Sequence, residues 1–213
     1  LRHSPCLSKE KKQHGWNVRH NVQTWNLAVS DFTGTSLLYH KGRADEEASL
    51  SSRAAQSAHS LSTRVVKLDE LFLSRQIFLL SVDAEGHDAR VLRGALRLLA
   101  QAQIKFVVFE YHFKWLASDL SLFETTSSLY ALGYACFLMT EPTLIPLYGR
   151  WWQDAYEFYQ WSNVFCGRLG DRDLFHAYVS WGTNELTLGY ALTDLQDHTH
   201  EKPMSASPSS SMI

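Results

Sequence analysis

The sequence lacks long apolar runs, a strong net charge and a high cysteine content, and each absence excludes a class of protein. No apolar run approaches the roughly 20 residues that a membrane-spanning helix needs, so we expect no membrane span. The formal net charge of the 213 residues is -2, which gives no field that would attract nucleic acid. With 45% hydrophobic and 20% charged residues, the composition is that of a globular domain with a hydrophobic core.

The cysteines are Cys6, Cys136 and Cys166. An odd number in a chain long enough to form its own core predicts buried or free thiols rather than a disulfide framework, which favours a reducing compartment such as the cytoplasm. Residue 1 is Leu1, and residues 1–20 are polar and basic without the apolar stretch of a signal peptide. We therefore expect a chain that is cut at its N-terminus, so that any targeting segment is not visible.

The first part of the chain contains predicted strands and a loop. Residues 25–30 and 35–39 are rich in strand-forming residues and flank a turn-rich D-F-T-G quartet, which predicts a hairpin. Residues 42–63 contain hardly any large apolar side chain and predict a mobile surface loop. Residues 64–68 predict a short strand, and a helical turn that Asp69 opens as an acidic cap follows it.

The middle of the chain has the pattern of a βαβ unit. Residues 77–82 form a nearly continuous apolar run, typical of a parallel strand that is covered on both faces. Residues 88–101 repeat apolar side chains at helical spacing with arginines opposite, which predicts one amphipathic helix. Residues 106–109 form a second apolar strand. The sequence therefore predicts an α/β fold with a parallel sheet.

The remaining elements are less regular. Residues 116–132 predict a helix that Gly133 ends, and residues 134–138 and 161–166 predict two more strands. Four segments are expected: a basic polar leader over residues 1–20, the main domain over 21–168, a C-terminal extension over 169–192, and a disordered Ser/Pro-rich tail over 193–213.

Five titratable side chains follow the two strands of the βαβ unit. Asp83, Glu85 and His87 come after the first strand, and Glu110 and His112 come at the end of the second. Ligands of open parallel sheets bind outside the carboxyl ends of the strands, so we expect these side chains to share one rim. Asp83 and Glu110 follow directly on apolar strands, where a carboxylate loses hydration unless it has partners, and this favours a functional role.

Other interpretations of these residues remain open. Glu85 and Asp88 also suit a helix N-terminus, where a carboxylate stabilises the positive end of the helix dipole. A metal site is not expected, because the side chains of residues i and i+2 are taken to diverge and no recognised ligand spacing is met.

Two glycines and three tryptophans have structural explanations beside functional ones. Gly86 lies where a strand must turn into a helix, and Gly94 lies where a missing side chain lets a helix approach the sheet. Trp151, Trp152 and Trp161 suit the lining of an apolar pocket, although ordinary aromatic packing explains them better.

Several ordered motifs carry a resemblance to a known family. Residues 80–88 read L-S-V-D-A-E-G-H-D and residues 91–99 contain V-L-x-G-A-x-x-L-L, which resembles the FkbM methyltransferase pattern D-x-E-G-x-(D/E) followed by V-L-x-G-A. Further segments fit the pattern in the same order: 26–31, 66–71, 109–110 and 161–166. The resemblance covers about residues 21–168.

The resemblance implies a Rossmann-like class I methyltransferase sheet, mostly parallel with an antiparallel edge strand. It implies S-adenosylmethionine as cofactor and O-methylation of a hydroxyl on a small-molecule or glycan acceptor. Asp83, Glu110 and His112 are then the catalytic candidates, one of them as the base that removes the acceptor's proton. Ser30 and Asp31 fall on the adenine side of the cofactor and Asp83 at the methyl-transfer end, and Glu85 is a further cofactor-binding candidate.

The sequence departs from that family at its N-terminal side. Members carry a strand with D-x-G-A-N-x-G and a second strand that ends in an acidic residue, and no segment before Asn21 matches either one. The first two strands of the sheet are therefore expected to be missing. The alternatives are a catalytically inactive, methyltransferase-like binding module and an unrelated α/β domain such as a hydrolase, although the sequence has no G-x-S-x-G motif.

We predict that this chain alone binds S-adenosylmethionine weakly or not at all, because the glycine loop that cradles the cofactor in the family is missing. Isothermal titration of the 213-residue chain with S-adenosylmethionine checks this. A dissociation constant in the micromolar range would contradict the prediction.

Overall fold

The computed structural model describes residues 22–41, 48, 50, 59–141 and 143–181, which form a mixed α/β fold. The predicted leader and tail lie outside the described residues. The strands are β1 (Ala28–Val29), β2 (Gly34–His40), β3 (His59–Val66), β4 (Ile77–Val82), β5 (Ile104–Tyr111), β6 (Tyr134–Met139), β7 (Leu144–Pro146) and β8 (Ser162–Arg168). The α-helices are α1 (Leu68–Phe72), α2 (Asp88–Arg93), α3 (Leu96–Ala100), α4 (Leu122–Ala131) and α5 (Arg172–Ser180).

The larger sheet has the strand order β4-β5-β8-β6-β7. β4 and β5 pair in parallel, as the βαβ pattern predicts. β8 lies antiparallel between β5 and β6, and β7 pairs antiparallel with β6. The expectation of a mostly parallel sheet with one antiparallel edge strand is therefore wrong: β8 is antiparallel inside the sheet, which leaves one parallel pair of neighbours. β7 is also a strand that the sequence did not predict.

The smaller sheet has the order β1-β3-β2. β3 pairs in parallel with β1 and antiparallel with β2, so β1 and β2 do not form the predicted hairpin. Residues 59–63, predicted as part of a mobile loop, belong to β3. Their side chains are mostly exposed and polar, and β3 is defined by backbone pairing along the whole of β2, which apolar patterning does not reveal. Most of residues 42–58 lie outside the described part.

The predicted helix over residues 88–101 is two helices, α2 and α3, that separate at Gly94. A Cβ on Gly94 would lie 2.1 Å from the carbonyl oxygen of Ser30, so only glycine permits this close approach. The carboxylate of Asp69 accepts hydrogen bonds from the backbone N–H groups of Arg97 and Leu98. Asp69 therefore satisfies the start of α3 rather than capping its own helix α1 as predicted, since the N-cap of α1 is Lys67.

The helix predicted over residues 116–132 begins later than expected. Residues Phe113–Ala117 form a 3-10 helix, and α4 begins after Ser121, whose side chain forms a capping box with Glu124. Gly133 follows its end with a φ of +84°, as the sequence predicts for a C-terminal glycine. In the described part of the chain, no helix has the length and apolar character that crossing a membrane requires.

The core lies between the larger sheet and its helices. α2, α3 and α4 contribute buried residues on one side, and α5 packs Leu174 and Tyr178 with Phe106 and Phe137. β4 is the exception to the prediction of a strand covered on both faces, because Phe78 is 69% exposed. Among the described residues β4 lies at the edge of its sheet, which explains this exposure.

Cys136 and Cys166 form a disulfide bond between β6 and β8. The two residues are directly opposite in the antiparallel register, and both side chains are fully buried. The prediction of free thiols is wrong for this pair, because sheet pairing brings together two residues that are 30 apart in the sequence. The argument for a reducing compartment depended on those thiols and no longer holds. Cys6 lies outside the described residues.

We predict that the denatured, unreduced protein contains one thiol that can be alkylated, and three after reduction. Mass spectrometry after iodoacetamide treatment in denaturant checks this count. The double variant Cys136→Ala/Cys166→Ala should lose about 3–4 kcal/mol in free energy of unfolding, because the bond constrains the unfolded chain, whereas Cys6→Ala serves as the control. Three alkylated cysteines before reduction would show that the bond does not form.

A buried carboxylate organises the connection between β4 and α2. The side chain of Asp88 is fully buried and accepts hydrogen bonds from the backbone N–H groups of Ala84 and Gly86. Glu85 and Gly86 both have positive φ, at +53° and +85°. A Cβ on Gly86 would lie 2.7 Å from the Cβ of Lys114, so this glycine is needed for both its conformation and its close contact.

The same burial affects the protonation of Asp88. Loss of hydration raises the pKa of Asp88 to about 6 from an ordinary value of 3.8, although the backbone N–H groups of Ala84, Gly86 and Asp88 itself act in the opposite direction. The native state therefore holds the proton more tightly than the unfolded chain does between these two values. Stability from this group is present at low pH and decreases as the pH rises from about 4 to about 6.

We predict that Asp88→Asn removes this pH dependence. We compare the free energies of unfolding of the two proteins at each pH. The value for the original protein, relative to that of the variant, should fall by up to about 3 kcal/mol between pH 4 and pH 7. Urea denaturation of both proteins across that range measures the difference. A difference that stays constant or increases with pH would be inconsistent with a raised pKa at Asp88.

Candidate functional site

The carboxyl ends of β4 and β5 lie side by side. Val82 is opposite Phe109 in the parallel register, so Asp83 and Glu110 leave their strands at the same edge of the sheet. Asp83 is exposed, whereas Glu110 is 9% exposed. Burial raises the pKa of Glu110, and the neighbouring charge of Asp83 raises it further. Two carboxylates in different surroundings therefore stand next to each other at this rim.

Glu85, Glu110 and His112 form a cluster. One donor atom from each lies within 4.8 Å of the others. Oε2 of Glu110 is 3.6 Å from Nε2 of His112, whose side chain is completely buried. Burial lowers the pKa of His112, which favours its neutral form. We name these three residues the rim cluster. His87, the fifth residue predicted for the rim, interacts elsewhere.

The rim cluster corrects the reasoning against a metal site. Glu110 lies in β5 and His112 follows it, and side chains two residues apart in an extended chain lie on the same face rather than diverging. Glu85 joins them from the turn after β4, with a backbone conformation in the left-handed region. The geometric objection was therefore wrong.

Lys114 and Trp161 surround the rim cluster. The ammonium group of Lys114 donates a hydrogen bond to Oε2 of Glu85. The ring of Trp161 lies 4.7 Å from the ring of His112. Trp161 is 62% exposed, whereas His112 is completely buried. The cluster is thus bordered by one cation and one large aromatic ring.

Ser30 and Asp31, predicted on the cofactor's adenine side, lie in a separate network. Oγ of Ser30 is 2.8 Å from Nε2 of His87, and Ser30 is fully buried. The carboxylate of Asp31 forms ion pairs with Arg90 and Arg93. Burial and the charge of Arg90 lower the pKa of His87. This network connects the end of β1 to α2.

A cavity of about 350 Å³ lies next to this network, with His87 and Arg90 in its wall. Small-molecule sites have volumes of about 300–1,000 Å³, so the cavity is large enough for a ligand of that kind. It is lined by Phe32, Ser36, Leu50, Gly86, His87, Arg90, Ala117, Ser118 and Asp119. Its wall includes the turn that carries Glu85, which places the cavity beside the rim cluster.

Of the two carboxylates suggested for the α2 N-terminus, Asp88 lies in the first turn of the helix, whereas Glu85 precedes the N-cap residue. The N-cap is His87, without a side-chain hydrogen bond. Asp88 instead holds the turn, and Glu85 binds Lys114.

Sequence reasoning missed several residues of this region. Lys114 lies in an irregular 3-10 segment, and Asp119, which pairs with Arg90, lies in the loop after it. Neither has a periodic context that would single it out. Of the three tryptophans, Trp152 packs against Phe123 and Tyr156 as an aromatic packing residue, and none of the three lines the cavity.

Comparison with known proteins bears on this arrangement. Residues 5–135 match the family described as the methyltransferase FkbM domain, more than half of the chain. No curated protein and no solved structure matches. The match includes β4, β5 and the whole rim cluster, and the mixed α/β sheets agree with the Rossmann-like fold that the family implies. The chain belongs to the FkbM methyltransferase family.

Proposed function

We propose that this protein uses S-adenosylmethionine to methylate a hydroxyl group on a small molecule or sugar. The observation that supports this most directly is the cavity of about 350 Å³, whose wall includes Gly86 and His87 of the turn that also carries Glu85 of the rim cluster. A methyltransferase needs a cavity for the donor and a polar rim where the acceptor's hydroxyl group meets it. Both lie at the carboxyl ends of β4 and β5, where α/β sheets bind ligands.

The cavity suits part of the proposed cofactor. Its volume is in the range of small-molecule sites, and Arg90, Asp119 and Ser118 offer charged and hydroxyl groups to a polar ligand. Gly86 brings the turn after β4 close to Lys114 without a side chain in between. The cofactor loop D-x-G-A-N-x-G has no counterpart in the sequence, so these residues hold the adenine and methyl-transfer sides and not the loop side.

When bound, S-adenosylmethionine would supply the methyl group of its sulfonium: the electrons of the C–S bond would stay on sulfur, giving S-adenosylhomocysteine, and a lone pair of the acceptor oxygen would form the new C–O bond. The oxygen loses its proton in the same overall reaction, and a carboxylate of the chain takes it. The protein's remaining task is to align the two reactants.

Asp83 is the residue that we assign as the base. It is exposed at the end of β4, whereas Glu110 and His112 are buried behind it. An acceptor that enters from solvent therefore reaches Asp83 first. Glu110 and His112 form the buried wall of the same rim, and Glu85 forms its side. Ser30 and Asp31 support the cavity through His87 and Arg90.

A binding module without catalysis is the second candidate. Ser30 is fully buried against His87, and Asp31 is paired with two arginines, so both side chains already have partners inside the protein. Residues that contact a cofactor directly need polar atoms that face the cavity. Such a module would bind a small molecule in the cavity but leave methyl transfer at the background rate.

We predict that Asp83→Asn lowers kcat for methyl transfer by about 10²–10⁴-fold with a small change in KM, because general-base catalysis contributes in that range. The measurement uses methyl-tritiated S-adenosylmethionine at millimolar concentration, with monosaccharides and simple phenols as acceptors. An O-methyl ether is identified by its stability to mild alkali.

The matched control is Glu70→Gln, an exposed carboxylate on α1. Equal rates for Asp83→Asn and Glu70→Gln would remove Asp83 from the reaction. Donor binding without transfer to any acceptor would favour the second candidate.

A further inference from the structure

We propose that the rim cluster, Glu85, Glu110 and His112, is a binding site for a first-row divalent transition-metal ion. The three side chains come from two neighbouring segments, the turn after β4 and the end of β5. Their donor atoms are two carboxylate oxygens and one imidazole nitrogen. These are ligands that proteins use for Mn²⁺, Fe²⁺ and Zn²⁺.

The distances suit one ion. Two ligand atoms that are about 2.1 Å from a tetrahedral ion lie roughly 3.4 Å from each other. Oε2 of Glu110 and Nε2 of His112 are 3.6 Å apart, which is too long for a hydrogen bond and close to that ligand spacing. The donor atom of Glu85 lies within 4.8 Å of both. A modest side-chain movement of Glu85 completes the triangle.

The buried polar atoms of the rim cluster point to a missing partner. Both ring nitrogens of His112 and Oε2 of Glu110 are buried without a hydrogen-bond partner among the described residues. A buried polar group without a partner costs about 1–3 kcal/mol, and structures rarely contain several of them side by side. The completely buried imidazole is held against the carboxylate, and an ion between them would use the lone pairs of both.

The local charges also favour a cation. Glu85 and Glu110 belong to the rim cluster, and Asp83 is close enough that its charge affects the pKa of both Glu110 and His112. The neighbouring cation is Lys114, which binds Glu85. Two carboxylates of the rim cluster and that of Asp83 thus act on the buried imidazole of His112 or stand next to it. A divalent cation suits such a group of carboxylates.

Lys114 lies next to Glu85, where it occupies part of the space that a bound ion would need. Its ammonium group binds Oε2 of Glu85, so the lysine and the ion compete for that carboxylate. Removal of the ammonium group should therefore strengthen ion binding. The same substitution would weaken the protein without affecting an ion if the rim cluster were only a network of ion pairs.

Three protein ligands leave coordination positions open, as in catalytic metal sites. An acceptor hydroxyl bound there has a lowered pKa and a fixed orientation towards the donor. Asp83, which is not one of the three ligands, remains available as the base. This role of the ion rests on the proposed function, whereas the ion site itself does not.

The test uses Mn²⁺, whose signal in electron paramagnetic resonance decreases when the aqueous ion binds to protein. We expect one Mn²⁺ per chain for the protein prepared without metal. Glu110→Gln, which keeps the size of the side chain, and His112→Gln should each weaken binding at least roughly tenfold. Circular dichroism verifies that each variant is folded. Lys114→Met should bind Mn²⁺ more tightly than the original protein.

Glu70→Gln is the matched control and should bind Mn²⁺ like the original protein. Mg²⁺ should displace Mn²⁺ only at far higher concentration, because imidazole is a poor ligand for Mg²⁺. The site is overturned by the absence of stoichiometric binding, by folded Glu110→Gln that binds Mn²⁺ unchanged, or by displacement at equal Mg²⁺. Unchanged or weaker binding by Lys114→Met removes Glu85 from the ligand set.

Methyl transfer is measured separately on the same samples, so the two proposals fail in different ways. Mn²⁺ binding without methyl transfer to any acceptor supports the ion site and contradicts the proposed function. Methyl transfer without Mn²⁺ binding overturns the ion site and leaves the proposed function in place.

Discussion

The hydrogen bonds of the Asp88 carboxylate to Ala84 and Gly86 hold the turn on which the functional region depends. β4 ends at Val82 and α2 begins at Asp88, so five residues must reverse the direction of the chain. Two of them adopt positive φ, and one of these, Glu85, is not a glycine. Such a conformation persists where the surrounding structure fixes it, and here the buried carboxylate does so. Glu85 thereby reaches Glu110 and His112 on the next strand.

A second constraint connects the two sheets. Gly94 lies against the backbone of Ser30, and the carboxylate of Asp69 satisfies the start of α3. The N–H group of Asp69 in turn donates to the carbonyl oxygen of Gly94. These contacts place the end of β1 beside α2, where Asp31 pairs with Arg90 and Arg93. The cavity exists because the small sheet is held at this position, with His87 and Arg90 on its wall.

Some of this was predictable from the sequence and some was not. The apolar runs identified β4 and β5, and the parallel-strand rule put Asp83 and Glu110 at one edge, because those inferences need only side-chain polarity and chain direction. The position of β8 between β5 and β6 was not predictable, since the pairing of strands depends on contacts between residues that are far apart in the sequence. The same holds for β3, whose polar exposed side chains hide its pairing, and for the Cys136–Cys166 bond.

The rim cluster shows why residue types alone did not determine the chemistry. Glu110 and His112 were both named from the sequence, but their relation was misjudged because side chains at i and i+2 were taken to diverge, which is not so in an extended chain. Lys114 had no sequence signal, although its ammonium group binds Glu85 of the rim cluster. The groups also differ in exposure to solvent: Asp83 is exposed, whereas Glu110 and His112 are buried. Burial of a carboxylate and an imidazole costs free energy unless a partner forms hydrogen bonds or ligand bonds with them. This cost is the physical reason to expect a ligand that contacts both groups at once.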